Sequence, residues 1–134
     1  MSTATVYQGK LRCVSTCRDA AGTVVTDGPS AYGGEEQYLS PTDLLGIALG
    51  SCILTTIAIT AERLELDLSG TTVSVAKELT AGPPLRIAGL AVTVSVPRTF
   101  EEGQRQRLER SASACPVGKS LHPDIDESIT FIYG

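Results

Sequence analysis

Two of the four cysteines lie where a thiol could do chemistry. Cys52 lies inside an uncharged run, residues 44–61, and Cys115 directly precedes Pro116. Because a residue before proline disfavours helical backbone, Cys115 is predicted to cap a helix opened by Pro116. Helix-terminal N–H groups would then lower the pKa of its thiol. The pair predicts redox chemistry. The alternative is that both are inert: Cys52 as a small buried apolar side chain, Cys115 as a residue that happens to precede a turn.

Composition limits the classes of function. The chain has 134 residues, 42% hydrophobic and 19% charged, with a formal net charge of −4. This favours a single domain over residues 1–134. No basic cluster or aromatic stacking surface is present, so a nucleic-acid partner is not expected. The first residues lack a long apolar core after a basic start, which predicts no signal peptide and a cytoplasmic location, where structural disulfides are rare.

The first part of the chain is predicted to be a strand, a turn and a helix. Residues 3–17 have the pattern of one strand, followed by a turn at 18–22 and a short returning strand at 23–26. Residues 40–43 read Ser-Pro-Thr-Asp, in which Ser40 can cap, Pro41 fits the first helical position and Asp43 lies in the first turn. The helix is predicted to run to about residue 64.

The second part alternates in the way strands do. Residues 71–79 and 87–96 predict a hairpin, the second strand placing Leu90, Val92, Val94 and Val96 on one face. Thr99 with Glu102 predicts a capping box for a helix over 100–114. A short helical turn from Pro116 to residue 121 and a last strand over 128–133 follow. The order ββ-α-ββ-α-(α)-β predicts an α+β fold with antiparallel sheet.

The central run of 18 uncharged residues has two interpretations. It meets the lower length limit for a membrane span, but Gly, Ser and Thr dilute its hydrophobicity. We therefore expect a core helix and no membrane association. A chain of this size would struggle to surround such a helix, so we expect it to pack against its own sheet and a symmetry mate in an obligate homodimer. Gly46 and Gly50, on one face, would allow close helix approach.

Two motifs carry a resemblance to a known family. Residues 40–45 read Ser-Pro-Thr-Asp-Leu-Leu and residues 48–52 read Ala-Leu-Gly-Ser-Cys. Together they resemble the OsmC/Ohr signature, in which Ser or Asn-Pro-x-x-Leu leads to a small-residue stretch ending in Cys. Residues 115–121, Cys-Pro-Val-Gly-Lys-Ser-Leu, are similar to the second motif of that family. The resemblance spans nearly the whole chain.

The resemblance implies a fold and an activity. The fold is OsmC-like α+β, with antiparallel sheets around a long central helix in an intertwined homodimer whose active sites lie at the interface. The activity is thiol-dependent reduction of organic hydroperoxides. By the same resemblance Cys52 is the peroxidatic cysteine and Cys115 the resolving one. Their disulfide is reset by an external dithiol, for which the family suggests a lipoyl carrier protein, and no metal or organic cofactor is implied.

The family also places an arginine, paired with a glutamate, beside the peroxidatic thiolate. Arg18 in the predicted turn is the first candidate and Arg12 the second, against the alternative of a solvated surface arginine. The position of the glutamate in the peroxidase branch is occupied by Thr42. Glu35 or Glu36 could replace it from the loop. This departure leaves open a less characterised OsmC-like branch with another substrate.

Two other functions remain as alternatives. The first is a zinc protein that uses Cys13, Cys17, Cys115 and His122. In a strand, Cys13 and Cys17 would lie roughly 13 Å apart, too far to share a metal. The only histidine precedes a proline in a turn-rich stretch, which favours a surface position. The second alternative is a non-enzymatic dimer that binds a small apolar ligand, with the cysteines serving only in packing.

Overall fold

The chain folds into two compact units, each containing a three-stranded sheet. The computed structural model describes residues 2–134, and the units are Met1–Leu45 and Gly46–Gly134. The strands and helices are β1 (Thr3–Gly9), β2 (Arg12–Cys17), β3 (Thr23–Asp27), α1 (Pro41–Arg63), β4 (Thr72–Leu79), β5 (Ile87–Val96), α2 (Glu102–Ala112), α3 (Pro116–Lys119) and β6 (Asp126–Tyr133), with one 3₁₀ turn at Ser30–Tyr32. Two small sheets and one long helix confirm the predicted α+β class.

The first unit contains an antiparallel sheet in the order β1-β2-β3. The prediction of a single strand over residues 3–17 is wrong, because the chain turns between β1 and β2. Gly9, Lys10 and Leu11 all have positive φ angles of 92°, 52° and 62°. A glycine in this left-handed region starts the tight turn at no steric cost. The turn makes a hairpin of β1 and β2, and Arg12, the first residue of β2, pairs with Asp27 on β3.

Helix α1 begins where the sequence predicts. The backbone N–H of Ser40 donates to Asp43 Oδ2 at 2.8 Å, and the N–H of Asp43 donates to Ser40 Oγ at 3.2 Å. This reciprocal pair satisfies donors that the first helical turn would leave unpaired. Pro41 occupies the first helical position, and the helix ends at Arg63.

The second unit has the sheet order β4-β5-β6, with β5 in the middle. One face of β5 forms the core as predicted: Leu90, Val92, Val94 and Val96 are each at most 2% exposed. The remaining core side chains come mainly from the two longer helices, and they include Leu49, Ile53, Ile57 and Ala61 of α1 with Leu108 and Ala112 of α2.

Strand β6 departs from the expected antiparallel sheet. It pairs with β5 in parallel, with Val92 opposite Ile129 and Val94 opposite Phe131. The reason is the connection between them. Helices α2 and α3 lie between β5 and β6, and this helical crossover returns the chain to the end of the sheet at which β5 began. Within this second sheet, β4 and β5 form the predicted antiparallel hairpin.

The polar helix α2 also begins later than predicted. The capping box is formed by Glu101 and Gln104, not by Thr99 and Glu102. The side chain of Gln104 accepts a hydrogen bond from the backbone N–H of Glu101 at 3.1 Å. The helix ends at Ala112 and the short α3 at Lys119, so the predicted ends at residues 114 and 121 were two residues too long.

The glycine face of α1 packs on its own sheet. A Cβ added at Gly50 would lie 3.2 Å from Val75 and 3.3 Å from Val73 of β4, and one at Gly46 would lie 3.6 Å from Val75. The expectation that these glycines serve helix approach to a second chain is therefore wrong, because the space they leave is filled by β4. Ile47 and Ile59 of the same helix are 53% and 47% exposed.

The length and composition of α1 would allow it to cross a membrane. Among residues 2–134 it is the one helix that meets both criteria; its most apolar window has a mean hydropathy of 2.1 and is 33% buried. A core helix of a soluble protein meets the same criteria. The buried contacts of α1 with β4 are those of such a core helix.

Candidate active site

Cys52 lies near the middle of α1, half-buried between a buried and an exposed stripe of the helix. Its side chain lines a cavity of about 500 Å³. The other lining residues come from the same helix and from the start of α3, and they are Ala48, Ser51, Thr55, Thr56, Ile59, Pro116 and Val117. Methyl and methylene groups predominate in this lining. The cavity therefore offers an apolar environment next to a thiol.

Cys115 caps α3, as predicted. Its backbone is extended, with φ −64° and ψ 136°, and Pro116 follows at the first helical position. The Cys115 sulfur accepts a hydrogen bond from the backbone N–H of Gly118 at 3.2 Å. The residue is only 1% exposed. The cap therefore directs the thiol into the protein interior.

The pKa of Cys115 moves in the direction opposite to the prediction. Burial is the largest cause and raises the pKa, because it disfavours the charged thiolate. The hydrogen bond from Gly118 lowers it, and a hydrogen bond with Cys52 and the charges of Cys52 and Glu127 raise it further. The expected lowering was wrong because one N–H from a four-residue helix does not offset burial and two neighbouring groups that can carry negative charge.

The two predicted site cysteines are brought together. The Cys52 thiol lies close enough to that of Cys115 to contribute to the rise in its pKa, and both cysteines are free thiols. Helix α1 supplies one sulfur and the cap of α3 the other, while Pro116 and Val117 of α3 line the cavity beside Cys52. Two thiols in contact can be oxidised to a disulfide without refolding the chain, provided that small side-chain rotations give the required geometry.

The first unit contains a second polar cluster, around Arg12. Its Nε donates to Asp27 Oδ1 at 2.7 Å and its Nη2 to Asp27 Oδ2 at 2.8 Å. Asp27 also accepts from the backbone N–H groups of Gln37 and Tyr38 at 2.9 and 3.2 Å. The hydrogen bond from Arg12, followed by these N–H groups, lowers the pKa of the buried Asp27 to about 2. Arg12 Nη2 also lies 3.4 Å from Glu35 Oε2.

The other residues considered for the arginine–glutamate pair have different contacts. Arg18 is exposed just beyond β2, and its backbone N–H donates to the carbonyl oxygen of Ser2 at 3.1 Å. Thr42 contributes to the start of α1, where its Oγ1 lies 3.0 Å from Ser40 Oγ. Glu36 accepts a hydrogen bond from the backbone of Ser30. Of the two arginine candidates, Arg12 is thus the one paired with acids.

The proposed zinc ligands are not gathered into a site. Cys13 and Cys17 are half-buried positions of β2, while the side chain of His122 is 67% exposed and its Nδ1 accepts from the backbone N–H of Asp124. Within residues 2–134 no group of three or more His, Cys, Asp or Glu side chains is placed to hold a metal ion.

Comparison with known families assigns the chain to one of them. The family model for OsmC-like proteins matches residues 33–129, which include α1 with Cys52 and the Cys115-Pro116 cap. The chain belongs to the OsmC-like family. Comparison with curated proteins gives no significant match.

Solved structures of OsmC-like proteins have the same fold. A protein from Psychrobacter arcticus 273-4, provisionally described as an osmotic stress induced and detoxification response protein, is 33% identical over 98% of this chain and 95% of its own, with a TM-score of 0.92. Organic hydroperoxide resistance proteins from Legionella pneumophila and Elizabethkingia anophelis are 16% and 13% identical, each with a TM-score of 0.78. They cover 98% and 100% of this chain and 97% of their own chains. At these two identities the likeness concerns the fold.

Two polar residues of this OsmC-like chain were missed from the sequence. Asp27 could have been found if the strand predicted over residues 23–26 had been extended by one residue, because the antiparallel pairing of β2 and β3 puts an acid opposite Arg12. Glu127 lies near Cys115, and the sequence held no signal for this. The two are 12 positions apart, and their proximity depends on the parallel pairing of β6 with β5.

Proposed function

We propose that this protein reduces organic hydroperoxides with its own thiols. The observation that carries the proposal is the contact between Cys52 and Cys115 beside an apolar cavity. Membership of the OsmC-like family supports it, as does the similarity of fold to two organic hydroperoxide resistance proteins.

The proposed reaction has two oxidative steps. The Cys52 thiolate attacks the terminal peroxide oxygen, the O–O bond breaks, and the alkoxide leaves and takes up a proton to give an alcohol. Cys52 is then a sulfenic acid. Cys115 attacks that sulfur, an S–S bond forms as the S–O bond breaks, and water leaves. The two sulfurs supply both electrons, so the scheme needs no metal or organic cofactor.

An external dithiol completes the cycle by thiol–disulfide exchange. In each exchange a thiolate of the reductant attacks one sulfur of the Cys52–Cys115 disulfide, and the reductant is left as a disulfide. A lipoyl group on a carrier protein is the proposed source, in the cytoplasm, where reduced dithiols are maintained.

The cavity supports an organic substrate in preference to hydrogen peroxide. Its volume of about 500 Å³ is in the range that holds a small ligand. Ala48, Ile59 and Val117 can contact an alkyl or aryl group while the peroxide oxygen lies at Cys52. Burial of that group stabilises the complex by about 25 cal/mol per Å² of apolar surface. A substrate without such a group gains nothing from this part of the site.

We also propose that the working form is a homodimer that covers the exposed stripe of α1. Ile47, Ser51, Thr55 and Ile59 recur every four residues along this stripe and are all exposed. Ser51, Thr55 and Ile59 also line the cavity at Cys52. A second copy that covers the stripe would exclude water from the thiol and complete the cavity wall.

Arg12 is proposed as the arginine that serves the thiolate, in place of the first candidate Arg18. The family pattern is an arginine paired with an acid, and Arg12 has Asp27 and Glu35 as partners. A guanidinium fixed at two points can donate its remaining N–H groups in a constant direction.

Counting free thiols tests the proposed activity. After one equivalent of cumene hydroperoxide the wild-type chain should lose two thiols, and Cys52→Ser should lose none. Cys115→Ser should retain a sulfenic acid that dimedone traps. The matched control is Cys13→Ser, which removes a half-buried thiol of β2 and should still lose two. Unchanged thiol counts in the wild-type protein would rule the proposal out.

The apolar cavity also supports a second candidate, a dimeric carrier of a small apolar ligand. This function requires no change in thiol count and predicts that an apolar probe binds equally well when both Cys52 and Cys115 are replaced by Ser. Binding without thiol loss would favour the carrier over the enzyme.

A further inference from the structure

Glu127 of β6 lies next to the buried thiol of Cys115. A Cβ built on Gly118 would be 3.2 Å from each carboxylate oxygen of Glu127 and 3.3 Å from the sulfur of Cys115. The carboxylate and the sulfur therefore lie on the borders of one small space, which Gly118 leaves open by having no side chain. Any larger residue at position 118 would have to displace the carboxylate or the sulfur.

The position of Glu127 in the sheet is unusual for an acid. It pairs with Leu90 of β5, a core residue that is 1% exposed. Since paired residues of adjacent strands point to the same face of a sheet, Glu127 points to the side where the core lies. The next residues of β6 on that face are Ile129 and Phe131, which are apolar and half-buried. A half-buried carboxylate on an apolar face costs free energy unless it is compensated.

The groups that face the Cys115 sulfur come from three elements. Helix α1 contributes the Cys52 thiol, β6 contributes the Glu127 carboxylate, and α3 contributes the N–H of Gly118. Lys119, also on α3, is exposed and does not contribute to the shift at Cys115. A thiolate at Cys115 would therefore lie beside a carboxylate and receive a single N–H donor. A neutral thiol avoids this repulsion.

We propose that Glu127 is a positioning residue that adds to the effect of burial in keeping Cys115 protonated, so that attack on the peroxide falls to Cys52. The proposal rests on the function proposed above and assigns the order in which the two cysteines react. A protonated Cys115 does not attack the peroxide, because the thiolate is the nucleophile. Its S–H is instead available to donate to the neighbouring sulfur of Cys52.

The second step remains possible with a protonated Cys115. As its sulfur forms the S–S bond with the sulfenic sulfur of Cys52, the S–H bond breaks and the S–O bond breaks. The released proton and the departing hydroxide leave as one water molecule. Two thiol electrons pass to the sulfenic sulfur, and no further oxidant or reductant is needed.

Direct titration of Cys115 tests the proposal without any peroxide. A background variant with Cys13, Cys17 and Cys52 changed to Ser leaves Cys115 as the only thiol, whose thiolate is followed by its ultraviolet absorbance against pH. In this background Glu127→Gln, nearly the same in shape, should move the titration midpoint to lower pH. Glu127→Asp keeps the negative charge, so the titration midpoint should stay close to that of the background variant. Equal midpoints with Gln and Glu would overturn the proposal.

A second measurement uses the same variants with hydroperoxide. With Glu127→Gln, Cys115 alone should consume cumene hydroperoxide several-fold faster at neutral pH than in the background, because more of it is thiolate. At a pH below the pKa of the thiol, each unit by which the pKa is lowered raises the thiolate fraction about tenfold. The gain in rate should therefore match the measured shift in midpoint. A shift in midpoint together with an unchanged thiol count in the wild-type protein after hydroperoxide supports the role of Glu127 and counts against the proposed activity. No shift in midpoint counts against Glu127 alone.

Discussion

Arg12 on β2 pairs with Asp27 on β3, and the guanidinium donates two hydrogen bonds to the carboxylate, of 2.7 and 2.8 Å. The Asp27 side chain is fully buried, and it also accepts two backbone N–H groups from the segment that follows β3. One carboxylate thus ties the hairpin to the loop that leads to α1. Its ionisation should therefore be important for the stability of the first unit.

The first prediction concerns acid stability. The pKa of Asp27 is lowered from 3.8 to about 2 in the folded chain, so between these values the unfolded chain binds more protons than the folded one. The contribution of Asp27 is fully present above about pH 4 and is lost as the pH falls through about 2. Thermal melts between pH 2 and 5 should show a steep fall in the wild-type midpoint and a shallower one in Asp27→Asn.

Asp126→Asn is the control for this prediction, because Asp126 is exposed at the start of β6. Its melting midpoint should follow the wild-type curve through the same pH range. If the melting midpoint of Asp27→Asn falls with pH as steeply as that of the wild type, other carboxylates control the acid transition.

The second prediction separates the two arginines. Arg12→Lys keeps the charge but loses the two-point contact, so the rate at which one equivalent of hydroperoxide oxidises Cys52 should fall roughly ten- to hundredfold, the range for a lost charge-assisted hydrogen bond. Arg18→Lys should change that rate by less than about twofold, since an exposed arginine interacts weakly. Stopped-flow measurement of thiol loss gives both rates. The reverse order would restore Arg18 as the functional arginine.

Features set by local sequence could be predicted, and those set by packing could not. The start of α1 at Ser40-Pro41 and the cap at Cys115-Pro116 depend on a few neighbouring residues, and both are confirmed. The buried face of β5 follows from strand alternation. By contrast, the parallel pairing of β6 depends on the path of the chain through α2 and α3, which no local pattern records.

The candidate site shows the same division. Cys52 and Cys115 could be selected from sequence because their motifs are local, and the structure brings their side chains together. The direction of the Cys115 pKa could not be predicted, because it depends on burial and on Glu127, which arrives from another element. The partner of Arg12 was missed because β3 extends one residue beyond the predicted strand end at residue 26, and that residue is Asp27.

The third prediction concerns the glycine face of α1. Gly50→Val adds two methyl groups against Val73 and Val75, where even a Cβ would be 3.2 to 3.3 Å away. Overpacking of this kind lowers the free energy of unfolding by about 1–3 kcal/mol. The control is Gly103→Ala in α2, where a Cβ meets nothing within 4 Å. This change should raise the free energy of unfolding by up to about 1 kcal/mol. Urea unfolding measures both changes.

If Gly50→Val unfolds at the same urea concentration as the wild type, α1 and β4 do not pack as closely as these distances imply. An unchanged stability but an altered oligomeric state would return the glycines to the role first expected of them, contact with a second chain.

The fourth prediction tests whether a second copy covers the exposed stripe of α1. Both Ile47 and Ile59 lie on this stripe, and they are 53% and 47% exposed. Ile59 also lines the cavity that contains Cys52. Replacing both with Glu introduces two charges that cannot be buried without a large cost. Sedimentation at micromolar concentration should show a dimer for the wild type and a monomer for this variant.

The control for the dimer is Leu85→Glu. Leu85 is 64% exposed and belongs to the turn between β4 and β5, not to the α1 stripe, so this variant should remain dimeric. The proposal also links assembly to chemistry, because the partner is expected to exclude water from Cys52. The monomeric variant should therefore lose its preference for cumene hydroperoxide over hydrogen peroxide, while its thiols remain titratable. A wild-type protein that sediments as a monomer would refute the proposed dimer, and an unchanged preference in the monomeric variant would show that the cavity wall is complete within one chain.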